Sequence, residues 1–191
     1  FQTHFIKIEN SDIADCNSTW ESQGPLVRKI KWTPVGCPKG VKMSTIKIMA
    51  LGGVRENGKN LYVAEVNEHI FVLDAGARYP ENEQLGVDIV VPNFEYLEEN
   101  KHRVAGIFLS HGHADAIGAL PYLLEKVKVP VFGSHLTIEL VKLLVKNNNA
   151  TKKFNDFHVI NEKTEIDFGD SVVSFFQTTH SIPESLGVVI K

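Results

Sequence analysis

The stretch Ala105-Gly-Ile-Phe-Leu-Ser-His-Gly-His-Ala-Asp115 decides the fold. Its first six residues read as a strand, and His111, His113 and Asp115 follow within five positions. The chain then opens into the helix-like Ala119-Leu-Pro-Tyr-Leu-Leu-Glu-Lys126, which puts a metal-binding cluster on a loop at the carboxyl end of a strand. Alternate side chains of an extended loop share one side, so the two imidazoles can converge on one ion, with Gly112 expected to let the backbone turn sharply. Imidazole nitrogen suits zinc at about 2.0–2.1 Å, and a catalytic zinc takes three protein ligands and a water. His180 is the third candidate, expected to end the strand-like Val172-Val-Ser-Phe-Phe-Gln-Thr-Thr179. Three such histidines leave one position for a water whose pKa the metal lowers towards neutrality, which is hydrolase chemistry.

Asp74 closes the apolar Ile70-Phe-Val-Leu73 and precedes Ala75-Gly76. A strand-terminal Asp taken alone is more often a turn former. Here its carboxylate is also placed to accept hydrogen bonds from the metal loop and so to fix the ligands rather than bind metal. Where a second metal ion would take another imidazole, directly after Asp115, the residue is Ala116. The remaining histidines, His4, His69, His102, His135 and His158, have no ligand-like partners at useful spacing and read as surface or structural.

Outward from the cluster, β-branched runs at 46–51, 61–66 and 70–73 predict an antiparallel meander, with Asn67-Glu68-His69 as a hairpin turn. A Pro/Glu/Asn-rich loop at 79–84 leads to a predicted strand at 88–91, a helical turn at 96–101 and the strand from Ala105. Helices at 117–127 and 136–146 then alternate with strands at 130–132, 157–160, 171–176 and 186–190. A meander followed by this alternation is a layered α/β arrangement. Residues 1–42 differ: they show no sustained period and hold both cysteines and both tryptophans. They are expected to be a poorly ordered or artefactual extension, with the domain proper spanning 43–191.

The 191 residues suffice for one domain with a real core, 43% of them being hydrophobic. The net charge of -3 is uneven, with six Lys/Arg against four Asp/Glu in residues 1–42 and 14 against 19 beyond them. Bulk charge therefore gives no support to nucleic-acid binding. Cys16 and Cys37 are too few for a disulfide framework or a four-cysteine zinc site, and a reducing, cytoplasmic setting is expected. No apolar run approaches the roughly 18 residues of a membrane span, and neither a leader nor a membrane partner is expected. Gly53-Val-Arg-Glu-Asn-Gly-Lys-Asn60 has phosphate-loop spacing, but it ends in Asn rather than Ser/Thr. A strand pattern follows it where phosphate binding needs a helix N-terminus, so nucleotide hydrolysis is set aside.

The succession of Asp74-Ala-Gly, His111-Gly-His-Ala-Asp115 and His180 resembles the metallo-β-lactamase superfamily, whose loop signature is His-x-His-x-Asp-His. The phrases Gly52-Gly-Val-Arg-Glu-Asn-Gly-Lys-Asn60, Pro80-Glu-Asn-Glu-Gln-Leu-Gly-Val-Asp88, Val91-Pro-Asn93 and Thr179-His-Ser-Ile-Pro-Glu-Ser185 are similar to bacterial ribonuclease J. That resemblance runs from Met43 to Lys191. It implies an αββα sandwich, with a β-CASP domain and further ligands downstream, and zinc-dependent endonucleolytic and 5′-3′ exonucleolytic cleavage in messenger decay and ribosomal RNA maturation. It further implies that His111, His113 and His180 bind the first zinc, that Asp115 binds the second and orients the attacking water, and that Asp74 stands behind them.

Ala116 departs from the signature, and Arg55 stands where the family usually has Gly. The pattern looks like the second ribonuclease J paralogue of Gram-positive bacteria, which pairs with a more active sister. The partners implied are RNA and that sister in a hetero-oligomer, or a second copy of the chain. With four ligands at most in this stretch, metal binding that is weak or absent and poor cleavage are expected. Two alternatives stay open: a catalytically inactive RNA-binding or assembly subunit, and another hydrolase of the same superfamily.

Overall fold

The computed structural model describes residues 46–80 and 86–191 with their side chains, and, as backbone, strand residues 6–8, 18–22, 27–32 and 45. Three strands fall in the segment that shows no period in the sequence: β1 (Ile6–Ile8), β2 (Ser18–Ser22) and β3 (Val27–Trp32). The packing of Trp20 and Trp32, and the expected boundary at Met43, lie outside the described residues. The β-branched runs form β4 (Thr45–Gly52), β5 (Leu61–Val66) and β6 (His69–Leu73). They pair antiparallel in succession, as the meander predicts. His69 is paired with Val66, so the hairpin turn is only Asn67-Glu68, with Asn67 at φ 54° in the left-handed region that Asn tolerates.

Parallel strands then extend the same sheet: β7 (Val104–Phe108), β8 (Val131–Gly133) and β9 (Phe157–Val159). The helices are α1 (Glu95–Glu99), α2 (Ala114–Ile117), α3 (Leu120–Lys126) and α4 (His135–Asn147). A second sheet, in the order β1, β12, β11, β10, contains β10 (Glu165–Asp167), β11 (Val172–Gln177) and β12 (Leu186–Ile190).

The period of two in β5 and β6 sorts side chains into two cores. Leu61, Val63, Ile70 and Val72 face one way, where they pack with Leu97, Leu120, Leu123, Leu124, Ile138 and Val141 of the helices. Ala64, Val66, Phe71 and Leu73 face the other and meet Val173, Phe175, Leu186 and Val188 of the second sheet. Strands β5 to β8 of the eight-stranded sheet are thus covered on both faces, which is why β6 and β7 read as nearly continuous apolar runs. Between the sheets Phe108 stacks on Phe132 at 4.9 Å.

Four expectations need correction. The helix predicted over 117–127 is broken into α2 and α3, because the Ala119 amide donates to the Ala75 carbonyl at 2.8 Å and Pro121 brings no N–H to the first turn of α3. The strand predicted at 88–91 is one isolated bridge between Arg78 and Val90, since no neighbouring strand runs beside the rest of it. The strand before His180 stops at Gln177, where the Thr178 amide bonds the Ser185 carbonyl and closes a loop. β10 was hidden because Glu165-Ile-Asp167 offers a single apolar residue.

Near the turn of the β5–β6 hairpin, Glu65 accepts hydrogen bonds from Tyr96 Oη at 2.7 Å and from Arg103 Nη2, with Lys47 at 3.6 Å. Burial pushes this carboxyl up, but those bonds and the two cations outweigh it and hold it below the usual range. A depressed folded-state value means stabilisation that is fully present above the unfolded value of about 4.3 and lost as pH falls through the folded one. Glu65→Gln is expected to cost roughly 1–2 kcal/mol in urea melts at neutral pH and almost nothing in strong acid. An equal deficit at both pH values would assign the effect to packing.

Candidate metal centre

Two parallel strands end side by side at the centre. Leu73 of β6 pairs with Phe108 of β7, and the Asp74 amide donates to the Phe108 carbonyl at 3.0 Å. Asp74 is fully buried at φ 61°, a conformation that Asp tolerates better than most residues. Its Oδ1 accepts from the Ser110 amide and its Oδ2 from the Ser110 hydroxyl, both at 2.8 Å. The same hydroxyl lies 2.8 Å from His111 Nδ1. Since the hydroxyl proton is committed to Asp74, its oxygen accepts from Nδ1–H, which fixes the His111 tautomer and leaves Nε2 with a lone pair.

That Nε2 is buried and has no hydrogen-bond partner among the described residues. It belongs to a compact group with His113 and His180, whose nitrogens all lie within 4.8 Å of one another. Burial, the largest effect, pushes the His111 imidazole below its ordinary pKa; Asp74 and Asp115 pull it up, and His180 and His113 push it down. An orphaned, neutral nitrogen facing two more imidazoles fits a metal ion that takes nitrogen ligands. His113 and His111 come from the loop after β7, and His180 from the loop joining β11 to β12. A backbone bond ties these loops together, the Leu186 amide donating to the Ser110 carbonyl at 2.8 Å. From the other side of the His180 loop, Glu184 Oε2 accepts from the Leu136 amide at the start of α4.

Asp115 lies beside this group, its Oδ1 3.8 Å from His111 Nε2 and its Oδ2 accepting from Asn60 Nδ2 at 2.9 Å. The backbone repeats the clamp: the Asn60 amide donates to the Asp115 carbonyl, and the Gly76 amide to the Asn60 carbonyl. Ala75 and Ala77 donate to the carbonyls of Ala116 and Ala114. The approach is so close that a Cβ on Gly76 would sit 1.5 Å from the Asp115 carbonyl oxygen. Ala116 is wholly buried, its methyl packed in the core on the helix side of the sheet.

The structure therefore brings His111, His113 and His180 together, sets Asp115 at their edge and puts Asp74 behind them. Gly112 is not at positive φ, and a Cβ there would meet only the side-chain tips of Leu140 at 2.6 Å and Ile182 at 3.2 Å, which can yield, so the sharp turn expected of it is not what the backbone shows. Sequence reading missed Ser110 and Asn60. Ser110 had a signal, a hydroxyl residue between a strand end and a histidine. Asn60 had been weighed only as the residue lacking a magnesium-binding hydroxyl. Of the histidines set aside, His69 pairs with Asp170 at 3.3 Å and His158 with Asp156 at 2.8 Å, away from the cluster.

Ser110→Ala removes the hydroxyl between Asp74 and His111 while leaving the amide bond that anchors the loop. Metal affinity, measured by competition with a chromogenic chelator, is expected to fall about 10- to 100-fold. Unchanged affinity would mean that the ring needs no such orientation.

A profile of the metallo-beta-lactamase superfamily matches residues 54–190. Among curated proteins, the chain is 70% identical over 148 residues to a protein named Ribonuclease J 2 from Streptococcus pyogenes, and 52% identical over 149 residues to one of the same name from Staphylococcus epidermidis. Each match covers 78% of this chain, which spans 27% of the length of those relatives. Among solved structures, a protein of unknown function from Enterococcus faecalis aligns with a TM-score of 0.56 at 16% identity, over 76% of this chain and 40% of that one. The metallo-beta-lactamase fold protein YhfI from Bacillus subtilis aligns with a TM-score of 0.52 at 17% identity, over 76% and 58%. These two likenesses concern the fold. The profile match, spanning most of the chain and including every residue of the histidine group, shows that this chain belongs to the metallo-beta-lactamase superfamily.

Proposed function

We propose that this chain is the metal-holding part of a ribonuclease J-type RNA hydrolase. The observation that carries the reading is the orphaned His111 Nε2 amid three converging imidazoles, in a chain 70% identical to a Ribonuclease J 2. The metal is zinc, held by His111, His113 and His180, because an all-imidazole set suits it and leaves a position open. When bound, it supplies charge against a developing phosphoryl oxyanion and makes a nearby water more acidic.

The chain's own residues do the rest. Asp115, aimed by Asn60, accepts a proton at Oδ1 from the attacking water. The Asp74 carboxylate, through the Ser110 hydroxyl, keeps His111 in the tautomer that presents Nε2. The substrate is an RNA phosphodiester, cut within the strand and from its 5′ end in messenger decay and ribosomal RNA maturation in the cytoplasm. The partner is a sister ribonuclease J chain or a second copy. Among the described residues no helix is long and apolar enough to cross a membrane.

Ala116 favours a second reading, in which the protein binds RNA and assembles with its sister without cutting. Its methyl cannot coordinate, so a second ion would lack a ligand and the two-ion clamp on the scissile phosphate would be lost. Elemental analysis of chain purified without chelator is expected to find about one zinc per chain, and none after His111→Ala. Metal absent from both, and from a chain of the relatives' full length, would sink the hydrolase reading. Ala116→His is expected to add metal and to raise cleavage of single-stranded RNA severalfold or more; no gain in either would favour the assembly subunit.

A further inference from the structure

The loop from Gly52 to Asn60 bends through four left-handed residues, Gly53, Arg55, Gly58 and Lys59. At two of them the choice of glycine has a steric reason: a Cβ on Gly53 would meet Asn60 Oδ1 at 2.6 Å, and one on Gly58 the Ala77 carbonyl oxygen at 3.0 Å. Arg55 has no such excuse. It sits at φ 58° with an exposed side chain, where glycine would adopt the same backbone without strain. Strain of this kind persists where a side chain is needed, and it points from the outlier to a role.

The surroundings say what that role is. Arg55, Glu56, Arg78, Tyr79, Ala114 and Asp115 line a cleft of about 620 Å³, which reaches the edge of the metal centre at Asp115. Glu56 is already shared between Lys59 at 2.9 Å and Arg78 at 3.7 Å, and Asp115 accepts from Asn60. Among the described residues Arg55 has no ion pair or hydrogen bond, so no described carboxylate matches its guanidinium. Guanidinium forks bind phosphate oxygens two at a time, and an elongated anion threading past Asp115 would meet this one.

We propose that Arg55 grips a backbone phosphate of the RNA strand in the cleft beside the metal centre, and that its left-handed backbone is the stability cost of that grip. The proposal rests on the RNA reading above. It assigns Arg55 to substrate positioning and not to the proton transfers or the metal.

The test uses the chain with a fluorescent single-stranded oligouridylate, read by anisotropy across a salt series, together with thermal melts. Arg55→Gly is expected to raise Tm by roughly 2–4 °C while weakening binding roughly three- to tenfold at low salt. Its log–log salt dependence should become shallower by about 0.7, one released counterion on a single strand. Arg55→Lys should keep most of the binding, and Lys152→Gln, an equal charge loss on the exposed turn after α4, should keep all of it. Binding by Arg55→Gly equal to that of the parent, or an equal loss in Lys152→Gln, would overturn the assignment while leaving RNA as the ligand. A parent chain that binds no oligouridylate would overturn both this and the RNA reading.

Discussion

Two backbone segments lie closer together at the centre than side chains would permit, and the remainder of the site hangs on that approach. The segment 74–77 leaves the end of β6 and lies against 114–119, exchanging bonds through Ala75 in both directions and through Ala77. Asn60 joins from the β4–β5 loop by bonding both segments. The approach fixes α2, and with it Asp115. It also takes the Ala119 amide out of the helix that would otherwise have run unbroken from 117. At this junction a single methyl on Gly76 would have to displace main chain, which has nowhere to go in an interior packed as densely as a crystal.

The order of chemistry along the site follows from the strands. β6 and β7 run parallel, so their carboxyl ends come out together and deliver Asp74 and Ser110 as neighbours. A carboxylate buried without compensation would be costly; here two bonds from one serine offset the burial and pass its influence to His111. The second sheet supplies only one side chain, His180. Its loop is held to the first sheet by the Leu186 bond and to α4 by Glu184, so the third imidazole owes its place to two contacts at the carboxyl end of its loop.

The sequence makes part of this legible. Period-two apolar runs reveal β4 to β6, and the strand, the two close histidines and Asp115 reveal the centre, because local spacing alone carries them. His180 is legible by residue type after a strand, although the strand stops two residues sooner than its pattern suggests. Long-range hydrogen bonds explain the failures. Nothing near Ala119 in sequence says that its amide is diverted to Ala75, and nothing near Asn60 says that its side chain meets Asp115, 55 residues on. The sharp turn expected at Gly112 does not use a left-handed backbone, and its neighbour Leu140 comes from a helix 28 positions later, beyond the reach of local spacing.

The Leu186-to-Ser110 bond has a consequence for how the protein is made. A chain growing from its amino end completes β7 and its two histidines well before β12 exists to reach back to them. Until β12 docks, His111 and His113 stand at the carboxyl end of β7 without their third imidazole, because His180 lies on the loop that leads into β12. The three-imidazole group is therefore a product of the pairing between two sheets, and not of the local sequence that carries two of its members.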